Sequence, residues 1–202
     1  MAHGMAAMDE ALSTSGARSA TMGRNLERGW VVKKWILLVV AAAVALCGCN
    51  AVFLRKAWPV TSGEIAGLPV SAPVAVVRDS YGIPHITAAN EHDLYVAQGF
   101  VHAQDRLWQM ESLRRLTEGR LSEIAGESTV AVDYFARMTG MPALKRAAYA
   151  DLSQEERGWL KAYVEGVNAY LRQRGSDLPL EFRSMGFSPE LWTALDCTSL
   201  LP

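Results

Sequence analysis

Cysteine is scarce in this 202-residue chain: Cys47 and Cys49 lie in or beside an apolar run, and Cys197 stands alone near the end. No disulfide framework can be built within the soluble part, and no Cys/His spacing of the metal-binding kind is present. An isolated cysteine such as Cys197 reads as a small buried hydrophobe. Charge of one sign is lacking too. Twenty Lys and Arg stand against 21 Asp and Glu, for a formal net charge of -1. With no basic excess to neutralise phosphates, composition argues against a nucleic-acid partner. Internal repeats are also absent.

Long apolar runs are missing with one exception. Residues 35–46 read WILLVVAAAVAL, and with residues 47–54 the stretch holds a single polar residue, Asn50. Arg24, Arg28, Lys33 and Lys34 precede it, against Glu27. Three readings are open. A run of about twenty residues is long enough to cross the hydrocarbon core as a helix, with the basic flank left cytoplasmic. The apolar core is equally a secretory h-region followed by small residues and then removed. Leu46-Cys47-Gly48-Cys49 also resembles a lipoprotein cleavage box with Cys49 lipidated, although a cysteine at 47 is unusual there. All three export the remainder of the chain, to a periplasmic or extracytoplasmic location. Residues 1–21 are unlike an n-region, and a start at Met22 would leave a signal of ordinary length.

The expected organisation is therefore a disordered, basic segment over 1–34, an anchor or h-region over 35–54, a linker over 55–71, and a folded domain over 72–202. Cys197 to Leu201 reads as an apolar element just beginning, with no polar tail or cap, so the domain is expected to be incomplete.

Within the domain, Ala72 to Arg78 is β-rich and predicts a strand. Asp79-Ser80-Tyr81-Gly82 is a turn by composition, and Pro84 to Thr87 returns as a second strand. Asn90 predicts a helix N-cap, with Asp93 in the place of the capping-box acid, and the helix runs to about Glu118 with Gly119 as its stop. Val96, Phe100, Ala103, Leu107 and Met110 share one face, and Leu94, Ala97, Val101 and Trp108 a neighbouring one, so this helix is expected to be buried. Gly99 in its middle points to close backbone packing. Beyond Met110 the pattern turns polar, and Glu111 pairs with Arg114 or Arg115 at helical spacing. Ser153-Gln154-Glu155-Glu156 is a capping box opening a second helix whose face is Leu160, Tyr163, Val164, Val167 and Leu171. Asp177-Leu178-Pro179 ends that segment, and Phe182 to Asp196 reads as loops with short turns.

Several charged and titratable residues are candidates for chemistry. Asp105-Arg106 inside an apolar helix would be costly unless each charge is paired with another segment, and that structural reading is preferred, as it is for Arg78-Asp79. His85 and His102 titrate near neutrality, but neither has an acid or nucleophile at a recognisable spacing, so both read as structural, hydrogen-bonded histidines. Ser188, after Gly186-Phe187, is the nearest candidate for an internally processed serine and is not persuasive.

The strongest signal is a long ordered pattern. It comprises Arg78-Asp79-x-Tyr81-Gly82-Ile83-Pro84-His85-Ile86, then an unbroken run from Ala97 to Met110, then Arg114-Arg115 and Gly119-Arg120-Leu121-x-Glu123. Later landmarks are Val164-x-Gly166-Val167-Asn168-Ala169, Leu178-Pro179-x-Glu181-Phe182 and Gly186-Phe187-x-Pro189-Glu190-x-Trp192. This pattern resembles the opening of penicillin acylase (penicillin amidase) enzymes, which are N-terminal-nucleophile hydrolases, and covers about Ala72 to Asp196. Ala194, where family members often carry proline, is a departure that affects only a turn.

The resemblance implies an α+β fold class: a mostly helical N-terminal region with a short β-hairpin, part of a four-layer αββα sandwich. It also implies hydrolysis of amides of hydrophobic acyl groups, such as β-lactam side chains, acyl-homoserine lactones or lipopeptide tails. The nucleophile would be a serine starting a second, larger β-chain, typically followed by Asn-x-Trp, and no Ser-Asn-x-Trp occurs here. The α-amine of such a serine, with a pKa of about 8, serves as the base in place of a histidine. Oxyanion donors worth about 3–4 kcal/mol each complete the site. Calcium ligands and the acyl pocket of the full-length enzyme lie mostly past Pro202. No catalytic, cofactor-binding or metal-ligating residue is assigned to this chain. The rival reading is a non-catalytic exported remnant or a membrane-tethered binding module, separated from the first by whether a processed Ser-Asn-x-Trp lies downstream.

Overall fold

A computed structural model describes residues 34–35, 38–48, 51, 54–55 and 57–200. The chain divides into two units, Met1–Phe53 and Leu54–Pro202. In the first, residues 38–48 are helical. Among the described residues no helix is long and apolar enough to cross a membrane. The transmembrane helix expected over 35–54 is thus not supported. Residues 36–37, 49–50 and 52–53 of that span lie outside the described residues, as do the basic flank at 24, 28 and 33 and Cys49 of the lipoprotein box.

The second unit opens with residues 58–74, which carry no regular element but are tied down. Ile65 and Leu68 pack on the core, and the Val60 carbonyl accepts a 2.6 Å hydrogen bond from Gln104 Nε2. An antiparallel hairpin follows, β1 (Ala75–Arg78) and β2 (Pro84–Thr87), in the register Ala75↔Thr87 to Arg78↔Pro84. Asp79 makes its turn. Its Oδ1 accepts the N–H groups of Tyr81 and Ile83 at 2.9 Å each, and Gly82 takes the positive φ of 79° that the turn needs. The first strand is shorter than expected because the N–H groups of Ser71 and Ala72 are given to the Asp93 carboxylate instead of to a ladder.

Helix α1 (Glu91–Glu118) has the expected ends: Asn90 Oδ1 accepts from Asp93 N–H at 2.8 Å, and Gly119 stops the helix in the left-handed region. Four helical pieces lie in 122–151. They are α2 (Ser122–Ala125), a 3-10 turn (Glu127–Thr129), α3 (Val130–Met138) and α4 (Met141–Asp151). Helix α5 (Gln154–Arg174) begins with the Ser153 capping box, both of whose hydrogen bonds form. The segment expected to be mostly loop holds two short helices, α6 (Leu180–Met185) and α7 (Ala194–Cys197), before a final 3-10 turn.

The core forms where α1 crosses α5. A Cβ on Gly99 would lie 1.9 Å from the Tyr163 carbonyl oxygen, and one on Gly166 would lie 1.9 Å from the Val96 carbonyl oxygen. Two glycines therefore let the backbones touch, which is the close packing expected of Gly99, with Gly166 as its counterpart. Phe100, Ala103, Leu107 and Met110 of α1 meet Val164, Val167, Tyr170 and Leu171 of α5. Phe182 closes the cluster edge-on to Trp108 at 5.1 Å, and Trp192 and Cys197 lie within it. The helices with one antiparallel hairpin make the α+β class that the sequence implied.

Candidate functional site

Two charged constellations are built on α1, one on each side of a kink at Arg106 (φ -138°, ψ 18°). Just before the kink, the Arg78 guanidinium grips Asp105 with two hydrogen bonds of 2.8 and 2.9 Å. It also donates to Gln104 Oε1 and to the Gly82 carbonyl at 3.0 Å each. Two residues singled out separately in the sequence thus neutralise one another and pin the hairpin to the helix. Arg106 is different: it is exposed and reaches only Gln109, in its own helix, at 3.4 Å.

Beyond the kink the polar pattern proves to be buried. Glu111 is fully enclosed and meets both Arg114, at 2.6 Å, and Arg115, at 2.8 Å. Arg115 continues to Glu123, and Arg114 to Asp196 at 3.6 Å. Lys145 joins Asp196 (3.3 Å) to Glu118 (2.7 Å). The guanidinium of Arg114 lies over Trp192, and that of Arg115 over the Phe187 ring at 4.4 Å. Burial tends to raise the Asp196 carboxyl, but the Thr193 N–H and hydroxyl, with Lys145 and Arg114, hold it below the usual carboxylate range. Hydrogen bonding to Arg120 holds Glu123 low as well. This network joins the end of α1 to α2, α4 and α7. It is a scaffold, because every charge has an opposite charge beside it.

The individual candidates fall into place. His85 is exposed, with Nε2 3.4 Å from Asp79 Oδ2. His102 Nδ1 lies 3.0 Å from the Tyr163 hydroxyl, and burial lowers its pKa. Cys197 is buried and its thiol is pushed up to about 12, first by burial and then by Asp196, so it stays protonated at neutral pH and is no nucleophile. Ser188 sits in an exposed loop. A groove of about 580 Å³ between residues 60–76 and α1 and a cleft of about 610 Å³ at the kink bring together apolar side chains, Arg78 and Gln104. The Ser71 hydroxyl in the groove donates to Asp93 Oδ2 at 2.7 Å, but hydrogen bonds hold that carboxylate well below its usual range, which makes it a weak base. Among the described residues no group of three or more His, Cys, Asp or Glu could hold a metal ion. The carboxylates near one another are already engaged with arginine, lysine or backbone N–H groups, so no calcium ligand is assigned here.

The arrangement defines an α+β scaffold, and comparison with known proteins shows the family it belongs to. The family model described as "Penicillin amidase" matches residues 73–201. Penicillin acylase 2 proenzyme of Pseudomonas sp. (strain SE83) is 46% identical over 139 residues, which is 69% of this chain and 18% of that protein. An acyl-homoserine lactone acylase QuiP of Pseudomonas fluorescens is 33% identical over 161 residues, 80% of this chain and 20% of the relative. Among solved structures, a thermostable penicillin G acylase of Alcaligenes faecalis superposes with a TM-score of 0.56 at 37% identity, covering 63% of this chain and 69% of that one. This chain belongs to the penicillin amidase family. It spans about a fifth of the length of those two curated relatives.

Proposed function

We propose that this chain is the N-terminal region of an exported amidohydrolase that cleaves amides of hydrophobic acyl groups. Its substrates are penicillin or cephalosporin side chains, acyl-homoserine lactones or lipopeptides. The observation that carries the reading is the family match over residues 73–201, with relatives named as penicillin and acyl-homoserine lactone acylases. One relative is named a proenzyme, which supports a partner β-region carrying the processed serine.

In this reading the serine's own α-amine removes the hydroxyl proton, and attack on the amide carbonyl gives a tetrahedral intermediate held by preorganised donors. The residues of this chain supply none of those groups. They hold the frame: the α1–α5 crossing fixes the core, Arg78 and Asp105 fix the hairpin, and the Glu111 network fixes the segment leading into the rest of the fold. Calcium, implied by the family resemblance, would be bound by the downstream region. Export is proposed from the basic flank and the apolar run at 35–46.

The test is a hydrolysis assay with penicillin G and an N-acyl-homoserine lactone. The 202-residue chain alone is expected to release no acid above background, and the chain produced together with its downstream region is expected to hydrolyse at least one of them. Turnover by the chain alone, or none by the pair, would overturn the proposal.

A further inference from the structure

The cleft at the kink in α1 is walled largely by apolar side chains. Leu54, Trp58 and Pro59 enter it from the start of the unit, Trp108 from α1, and Pro179 and Leu180 from the start of α6. Trp58 is 70% exposed, Leu54 43% and Leu180 40%. The backbone that presents Trp58 is fixed. Ala57 is buried, the Trp58 N–H donates to the Arg55 carbonyl at 3.3 Å, and Gln104 holds the Val60 carbonyl. The charges lining the cleft are the Arg78–Asp105 pair, Arg106 and Glu181. Arg55 is exposed next to Leu54, and Lys56 follows it in the sequence. With the pair neutral, Arg55, Lys56 and Arg106 stand against one carboxylate. Apolar side chains gathered at one exposed place mark an interaction surface, which the same residues scattered singly would not.

We propose that this face lies on a bilayer that carries anionic phospholipid, with Leu54, Trp58 and Leu180 at the headgroup boundary and Arg55 and Arg106 against lipid phosphates. The contact is peripheral and spans nothing. It rests on the export named under Proposed function, and not on the hydrolytic reading. The occupant follows from three observations. The apolar run of residues 35–54 ends in Leu54, so the chain reaches the patch directly from the stretch that directs it to a membrane. Tryptophan beside Arg and Lys is the composition that the lipid–water boundary favours, because an indole is apolar over its body and polar at one edge. The excess of cations complements a surface of negative potential. An apolar insertion joined by a basic patch attaches more firmly than either alone.

The experiment uses the full chain with vesicles of phosphatidylcholine alone and of phosphatidylcholine mixed with phosphatidylglycerol in equal parts. Amide hydrogen exchange is read within 54–58 and 180–185, because it separates contact at the patch from attachment through residues 35–46. Anionic vesicles are expected to slow exchange in both segments, and neutral vesicles to do so far less. The double variant Trp58→Ser/Leu180→Ser should lose the slowing, while Val77→Ser, an exposed apolar site on the hairpin, should keep it. Circular dichroism checks that each variant is folded. Arg106→Gln, which alters only an exposed side chain, should weaken the affinity for anionic vesicles about fivefold, the effect of one basic residue near such a surface. Unchanged exchange in both segments, whether or not the chain sediments with the vesicles, would overturn the proposal. So would slowing that is equal with both kinds of vesicle or that survives the double variant. Slowing that needs no vesicles and grows with protein concentration would assign the patch to a second copy instead. Failure here leaves the hydrolytic reading standing, which its own assay tests.

Discussion

The two halves of α1 are held in the protein by opposite means. Before Arg106, Val96, Gly99, Phe100 and Ala103 lie against α5, and Gly99 and Gly166 let the two backbones come into contact. After it, Leu107 and Met110 still join the core, but Glu111, Arg114 and Arg115, just as buried, are held by one another and by Glu123 of α2 and Asp196 of α7. The first half depends on size, and any added atom is felt. The second depends on charge balance, and removing one member strands the others. The kink at Arg106 separates the two regimes, and the Arg78–Asp105 pair braces it from the hairpin.

Substitutions in the 202-residue chain should separate the halves. The largest effect is expected at Glu111→Ala, which leaves Arg114 and Arg115 buried without their shared carboxylate and should cost about 3–5 kcal/mol in urea denaturation. A cost near zero would mean that the network is dispensable. Gly99→Ala should cost about 1–3 kcal/mol, because the new methyl meets a backbone carbonyl that can yield only if the helices part. Arg78→Ala is expected to cost about 1 kcal/mol, the pair being partly exposed, and to speed amide exchange within 75–87 while leaving 159–171 protected.

The smallest and most condition-dependent effect belongs to Asp93. Hydrogen bonds from the Ser71 N–H first, and then from the Ser71 hydroxyl and neighbouring side chains, hold its carboxyl well below the ordinary range. A depressed folded pKa gives stability that is present above the unfolded value of about 4 and fades as pH falls below it. The urea midpoints of wild type and Asp93→Asn should therefore differ at pH 7 and converge below about pH 4. A gap that stays constant with pH would show that the ionised carboxylate is not what ties residues 71–72 to the helix.

The sequence was most legible where a local rule and the tertiary fold agree. Asn90, Gly119 and the Ser153 box set helix ends by hydrogen bonds within a few residues, so they can be read without knowing the fold. Gly99 was readable because a glycine inside a helix needs a reason. Its counterpart Gly166 stood out only as a family landmark. The Glu111 network was half visible. The spacing to Arg114 and Arg115 was plain, but the same spacing marks a solvated helix face, and burial depends on Lys145, Phe187, Trp192 and Asp196, which are distant in sequence. Residues 120–152 gave no secondary-structure reading for a related cause. In α3 Asp133 is buried while Val130, Tyr134, Phe135 and Met138 are exposed, so the periodicity that normally reports a core reports a surface. No sequence rule paired Arg78 with Asp105; each was expected to find a partner, and the fold supplied each with the other.

The most direct test of the central claim is to read the coding DNA past the Pro202 codon for roughly two kilobases. The account expects a continuation, in frame or displaced by a single frameshift, that contains a small residue followed by Ser-Asn-x-Trp. A stop followed by unrelated sequence would contradict it and leave a family member without a nucleophile.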